Sequence, residues 1–233
     1  MSLGFHNVFI SPNWALEGLI GVILFIYIIF VVFGTRYTYK IFMKRNFPTN
    51  VAKYYNRKLI HIFAGGVPTL LFPIFFHAVT IPLILVTLIA ILTYLPHRMH
   101  KLFYWFQVEE NTYEVNFIIA WGFAIGLSWI ITGNPVYGVI PAAFMSFGDA
   151  ATGIVRNAVY KRRTKSWLGN IAMFAVCLPI GYYYTARLGF PIAGIVAAVV
   201  ASIAEHFEFG PIDDNVLITV TAFVTLLILL PMT

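Results

Sequence analysis

Residues 147–174 read FGDAATGIVRNAVYKRRTKSWLGNIAMF. A run of small apolar residues carries one acid, Asp149. A basic loop of Arg156, Lys161, Arg162, Arg163 and Lys165 follows, and a second apolar run starts at Trp167. Apolar run, cationic loop, apolar run is the pattern of two helices crossing a bilayer with a loop at its surface, because backbone in hydrocarbon must satisfy its own hydrogen bonds. The acid needs compensation: a carboxylate at the centre of a span is unfavourable by about 2.5–3.5 kcal/mol on insertion scales, and by less towards the end.

The same pattern repeats outward in both directions. Of 233 residues, 60% are hydrophobic and 10% charged, and the mean hydropathy is +0.84, which excludes a soluble globular domain. One all-α, polytopic, integral membrane domain is expected over residues 1–233. Apolar runs predict spans at 14–34, 59–77, 78–95, 117–133, 135–155, 168–187, 189–205 and 216–231, about eight transmembrane helices or else seven. Pro68, Pro73 and Pro82 kink or end helices, and the connection near His77 is tight enough for a hairpin. Small residues fill the fifth run, as suits an inner helix. Gly122 and Gly126 make a packing face in the fourth. Segments 36–56 and 97–116 mix cations with Tyr, Trp and Phe, and are expected to be amphipathic helices lying at the interface.

Charge fixes the orientation. The first thirteen residues hold no Lys or Arg, the reverse of a secretory signal, so residues 14–34 read as a retained first span with the amino terminus outside. With eight spans, Arg187 alone of fifteen Lys and Arg falls off the inner loops, the asymmetry expected of a cytoplasmic face. The carboxyl terminus is then outside too. The net charge of +6 belongs to these loops and to membrane lipid, not to nucleic acid. The last inner loop is acidic instead: Glu205, His206, Glu208, Asp213, Asp214 and Asn215. The only cysteine, Cys177, has no intrachain partner and reads as packing.

Several polar groups converge on that inner face. Asp149 is either a structural partner of Arg156, two turns on, or part of a site. Lys165 and Ser166 precede Trp167 and Gly169 at a helix start, where free N–H groups and the helix dipole favour phosphate. This is no P-loop, since Ile154 and Val155 follow Gly153 where Lys and Ser/Thr would stand. Arg57, Lys58 and His61 open the second span, with 57 and 61 on one face, as interfacial anchors or as a cationic clamp. His61 is equally readable as a histidine bonded to a backbone carbonyl. Glu205, Asp213, Asp214 and Asn215 bracket a turn with Gly210 and Pro211, either a solvated turn or an oxygen-donor set suited to Mg²⁺. His97 and His100 lack a third metal ligand and read as anchors. No HExxH or GxSxG motif supports a hydrolase.

The motifs Arg57-Lys58-Leu59-Ile60-His61, Gly148-Asp149-Ala150-Ala151, Lys165-Ser166-Trp167-Leu168-Gly169-Asn170-Ile171-Ala172-Met173-Phe174, and Glu205 with Asp213-Asp214-Asn215 resemble the polyprenol kinase family: phytol, farnesol and dolichol kinases. The resemblance spans a core of about 57–222, leaving 1–56 as an additional span and basic segment. It departs after the Gly-Asp-Ala motif, where a Gly-Arg pair is replaced by Val155-Arg156-Asn157. It implies a membrane kinase that phosphorylates the terminal hydroxyl of an isoprenoid alcohol with CTP or another nucleotide, using Mg²⁺ or another divalent cation.

On that reading, Lys161, Arg162, Arg163, Lys165, Ser166 and Gly169 bind the nucleotide, and Arg57, Lys58 and His61 lie near the transferring phosphate. Asp149, Asp213, Asp214 and Asn215 hold the metal, and Asp149, Glu205 and Lys165 carry the chemistry, with Glu205 or Asp149 as base. The small-residue fifth span and its aromatic neighbours would hold the isoprenoid tail. Two alternatives use similar residues: a CTP-dependent cytidylyltransferase making a CDP-lipid, and a small transporter, whose polar groups belong near the midplane.

Overall fold

The computed structural model describes residues 8–162, 164–210 and 212–231. From Trp14 onward the described residues form eight helical rods: α1 (Trp14–Lys44), α2 (Thr49–Phe75), α3 (Thr80–Arg98), α4 (Tyr113–Thr132), α5 (Val136–Tyr160), α6 (Trp167–Ala186), α7 (Pro191–Ala204) and α8 (Asp214–Leu229). No strand occurs among the described residues. The first five rods are long and apolar enough to cross a membrane. The last two, of 14 and 16 residues, reach roughly 21–24 Å at about 1.5 Å per residue, less than the roughly 30 Å of a hydrocarbon core.

The two expected interfacial helices are absent. Residues 36–44 continue α1 without a break, residues 49–56 already belong to α2, and the chain turns between them through Asn46, at positive φ. Residues 99–112 form a loop closed by a Val108–Asn111 bridge. Its side chains dock onto α1 and α2: the Trp105 indole donates to Val32 O (3.1 Å), and Asn56 Nδ2 donates to Trp105 O (3.0 Å) and Thr35 O (2.7 Å). Aromatic and cationic composition is shared by amphipathic helices and by loops that pack on helix ends, so it did not separate them.

Two cores organise the bundle. One joins α4, α5, α6, α7 and α8 around Tyr137, Phe144, Met173, Cys177 and Ile218. The other joins α2, α4 and α5 around Phe72, Ile125, Trp129 and Val139. Small residues let the rods touch: the backbones of α6 and α7 cross at Gly181 and Gly194, where a Cβ on either glycine would strike the carbonyl of the other. Gly122 and Gly126 accept Val86 and Leu83 of α3. The start of α1 is tied to the α2–α3 turn by buried Glu17, which accepts from Ser11 Oγ (2.5 Å) and from His77 N (3.0 Å).

α2 and α5 each contain a π-helical turn, His61–Gly66 and Phe144–Gly148, and the two turns lie against each other. Such turns add a residue per turn and occur often at functional sites. Gly65 and Gly66 permit the crossing, since a Cβ on them would enter the Phe117 and Phe147 rings.

Gly194→Val and Gly181→Val are each expected to cost about 1–3 kcal/mol through overpacking, lowering the midpoint of thermal unfolding in detergent. Gly18→Ala, at a glycine with open space around it, should leave the midpoint in place.

Candidate functional site

Asp149 begins the α-helical part of α5 directly after its π-turn and is 1% exposed. Its partner is Lys58 of α2, not Arg156: the ammonium donates to both carboxylate oxygens at 2.7 Å. His61 Nδ1 lies 2.9 Å from Asp149 Oδ2, and the imidazole stacks on Phe117 at 4.0 Å. His61 is buried, and its Nε2 has no hydrogen-bond partner. Lys58 reaches the acid because position 153 is glycine; a Cβ there would meet the lysine's Cε.

Arg156 lies two helical turns beyond Asp149 and makes the second buried pair. It donates from Nη1 and Nη2 to Glu205 Oε1 (2.6 Å) and Oε2 (2.7 Å), from Nη2 to Asn170 Oδ1 (2.9 Å), and from Nε to Ser166 O (3.0 Å). Both ions are almost fully buried, at 3% and 1% exposure. The two-pronged geometry fits the planar guanidinium to the carboxylate. Gly169 serves this pair directly, since a Cβ at 169 would collide with the guanidinium. Neither Arg156 with Glu205 nor Lys58 with Asp149 was read as a pair in the sequence. The only available signal was a surplus of lone ions in apolar runs.

Lys165 stands at the rim. Its ammonium donates to Glu205 O (2.7 Å) and Asp214 Oδ2 (2.7 Å), and lies 3.2 Å from a Glu208 oxygen. Burial pulls against its charge, but Asp214 and Glu205 outweigh that and hold its pKa above the ordinary lysine value. Thr164 Oγ1 and Ser166 Oγ beside it are buried without hydrogen-bond partners. Lys161 and Arg162 are exposed, and among the described residues they join no ion pair of the cluster. Arg163 lies outside the described residues.

One carboxylate oxygen each from Asp149, Glu205 and Asp214 lie within 4.8 Å of one another. Three hard oxygen donors at that spacing suit a divalent cation of the Mg²⁺ type, which would compete with Lys58, Arg156 and Lys165 for these oxygens. Asp213 and Asn215 stand differently. Asp213 caps α8, accepting from Val216 N (3.2 Å) and Asn215 Nδ2 (2.9 Å), so both of its oxygens are engaged. Burial raises its pKa to about 6, with the neighbouring Asp214 charge adding to the rise. Arg57 pairs with Glu114 at 3.4 Å, and Glu114 also takes His97 Nε2 at 2.6 Å.

Behind His61 opens a cavity of about 250 Å³, walled by α1, α2, α3, α4 and the 99–112 loop. Its lining is mostly apolar, including Val32, Phe72, Leu85 and Trp121, with Thr93, His61 and Glu114 as its polar members. No residue of α5 lines it. The small residues of α5 are consumed by close packing: Gly138 abuts the Ala124 carbonyl, and Gly148 abuts Cys177.

Comparison with protein-family models, with curated proteins and with solved structures found no match to this chain.

Removing one member of a buried pair leaves an unpaired ion, which costs about 3–5 kcal/mol. Arg156→Met is therefore expected to destabilise the protein by about that much, and Arg156→Met with Glu205→Leu should regain most of it, read as thermal unfolding in detergent.

Proposed function

We propose that this chain is a membrane kinase that transfers the γ-phosphate of CTP, or of another nucleoside triphosphate, to the terminal hydroxyl of an isoprenoid alcohol. On this reading all eight helices cross the bilayer, the short α7 and α8 with local thinning of the lipid, and the site lies on the cytoplasmic face with both termini outside. The observation that carries this reading is a junction. His61 touches Asp149 at 2.9 Å and also lines the apolar cavity, so a charged cluster and a greasy slot meet at one ring. A molecule that suits both is an amphiphile with a single polar end.

The charged side suits a nucleotide. Phosphoryl transfer asks mainly for positioning and for neutralisation of charge. Lys165, the Ser166 hydroxyl and the first N–H groups of α6 face the triphosphate, while Lys161 and Arg162 add positive potential at the approach. Asp149, Glu205 and Asp214 would hold a divalent cation, which when bound neutralises phosphate oxygens. The Arg156–Glu205 pair fixes the floor of the site and joins α5, α6 and α7.

On the lipid side, the His61 Nε2 without a partner offers one hydrogen bond to the alcohol, and the stacked Phe117 holds the ring in place. The alcohol oxygen forms a bond to the γ-phosphorus as the bond from that phosphorus to the β–γ bridging oxygen breaks. CDP leaves, and the hydroxyl proton passes to His61 Nε2 while the proton on Nδ1 passes to Asp149 and on to solvent. Both carboxylates are held by a cation, Asp149 by Lys58 and Glu205 by Arg156; Asp149 fits this role better because it alone touches His61, the residue that also lines the cavity.

Purified full-length chain in lipid nanodiscs, given Mg²⁺, γ-labelled CTP and farnesol, geranylgeraniol or phytol, is expected to yield a labelled lipid monophosphate and CDP. Asp149→Asn and Lys165→Ala should each lower turnover by about a hundredfold or more. Full activity in both variants would overturn the site. Release of pyrophosphate in place of CDP would identify a cytidylyltransferase, and saturable flux without nucleotide turnover a transporter.

A further inference from the structure

We propose that Phe72 and Phe76 form the floor of the apolar cavity and set the upper limit on the length of the lipid tail it accepts. The inference rests on the kinase reading for the identity of the polar head, and on the cavity alone for the tail.

The cavity has a direction. Its polar end is marked by His61 and Glu114, beside Asp149. α2 carries the lining away from that end through Ala64, Gly65 and Pro68 to Phe72 and Phe76. There the wall is closed by interlocked rings. Phe72 stacks on Phe76 at 5.3 Å and meets the edges of Trp121 at 5.9 Å and Trp129 at 5.3 Å. Phe72 is 1% exposed and Phe76 3%, so this end is packed shut, whereas the space above it is open enough for a ligand. Aromatic contacts of this kind hold ring geometry beyond what burial alone would fix.

The distance between the ends can be counted along α2. From His61 to Phe72 the helix rises about 16 Å at roughly 1.5 Å per residue. An extended chain advances roughly 3.3–3.6 Å for every three bonds, so that depth takes about fourteen bonds, which at four main-chain bonds per prenyl unit holds about three units and falls short of four. A further unit would meet Phe72, and a polyprenol of many units would have to leave the cavity sideways.

Tail binding is measured on the purified full-length chain in detergent without nucleotide, as displacement of a fluorescent single-chain lipid probe by geraniol, farnesol, geranylgeraniol and a long polyprenol. Affinity is expected to rise from geraniol to farnesol and then to fall. Phe72→Ala should move the optimum to geranylgeraniol, improving its binding relative to farnesol by about tenfold. If Phe72→Ala does not fold, Phe76→Leu carries the same expectation with a smaller shift. Ile74→Ala, on the outward face of the same helix at 63% exposure, should leave the profile unchanged. The proposal is overturned if the wild type binds the long polyprenol as tightly as farnesol, or if a folded floor variant keeps the wild-type profile. A length profile that behaves as expected, with no phosphate transferred, would sink the kinase reading and leave the floor standing. Transfer to short and long alcohols alike would do the reverse.

Discussion

The contact on which the rest depends is the pair between Lys58 of α2 and Asp149 of α5, with the ammonium 2.7 Å from both carboxylate oxygens. Each ion alone would be severely unfavourable among apolar side chains. Their pairing forces α2 and α5 together at one height, and the neighbouring features follow from that. The two π-turns face each other there, Gly153 leaves space for the lysine, and His61 reaches the second side of the carboxylate. Pairing of α5 with the acidic end of α7 through Arg156 and Glu205 then adds a second ion pair, whose carboxylate lies close to that of Asp149. In these two pairs the buried charges are joined helix to helix.

Much of the architecture was written in the sequence, because span boundaries follow from hydropathy, and hydropathy is local. The eight apolar runs match the eight rods to within a few residues at most ends, apart from the extensions at the end of α1 and the start of α2. The convergence of Lys58, His61, Asp149, Lys165, Glu205 and Asp214 was legible for the same reason, since alternation of spans brings every second loop to one surface. The pairings were not. Asp149 and Arg156 are neighbours in sequence on one helix, but they point to different partners, and which partner lies opposite depends on helix rotation and crossing, properties of the whole bundle.

The tail slot was illegible for a different reason. A run of small residues such as that in α5 reads equally as room for a ligand or as room for another helix. Here helices took the room, and the open volume appeared between α1, α2, α3 and α4, where large residues meet imperfectly. A cavity is what packing leaves over, so no short motif encodes it. Likewise Asp213 and Asp214 are adjacent and chemically identical, but one closes the first turn of α8 and the other faces Lys165. Cap geometry, not residue type, separates them.

The two π-turns also make the site sensitive to chain length in the most literal sense. Each turn holds one residue more than the α-helix around it would need. Deleting a single residue from 144–148 would relax α5 into a regular helix while rotating everything on one side of the cut by about 100° relative to the other. Asp149 would swing off Lys58, or the core residues before it would swing out of their sockets. Loops in general absorb an insertion or deletion of one residue, but these two turns have no such slack, and the spacing between Tyr137 and Asp149 is therefore as much a part of the site as the carboxylate itself.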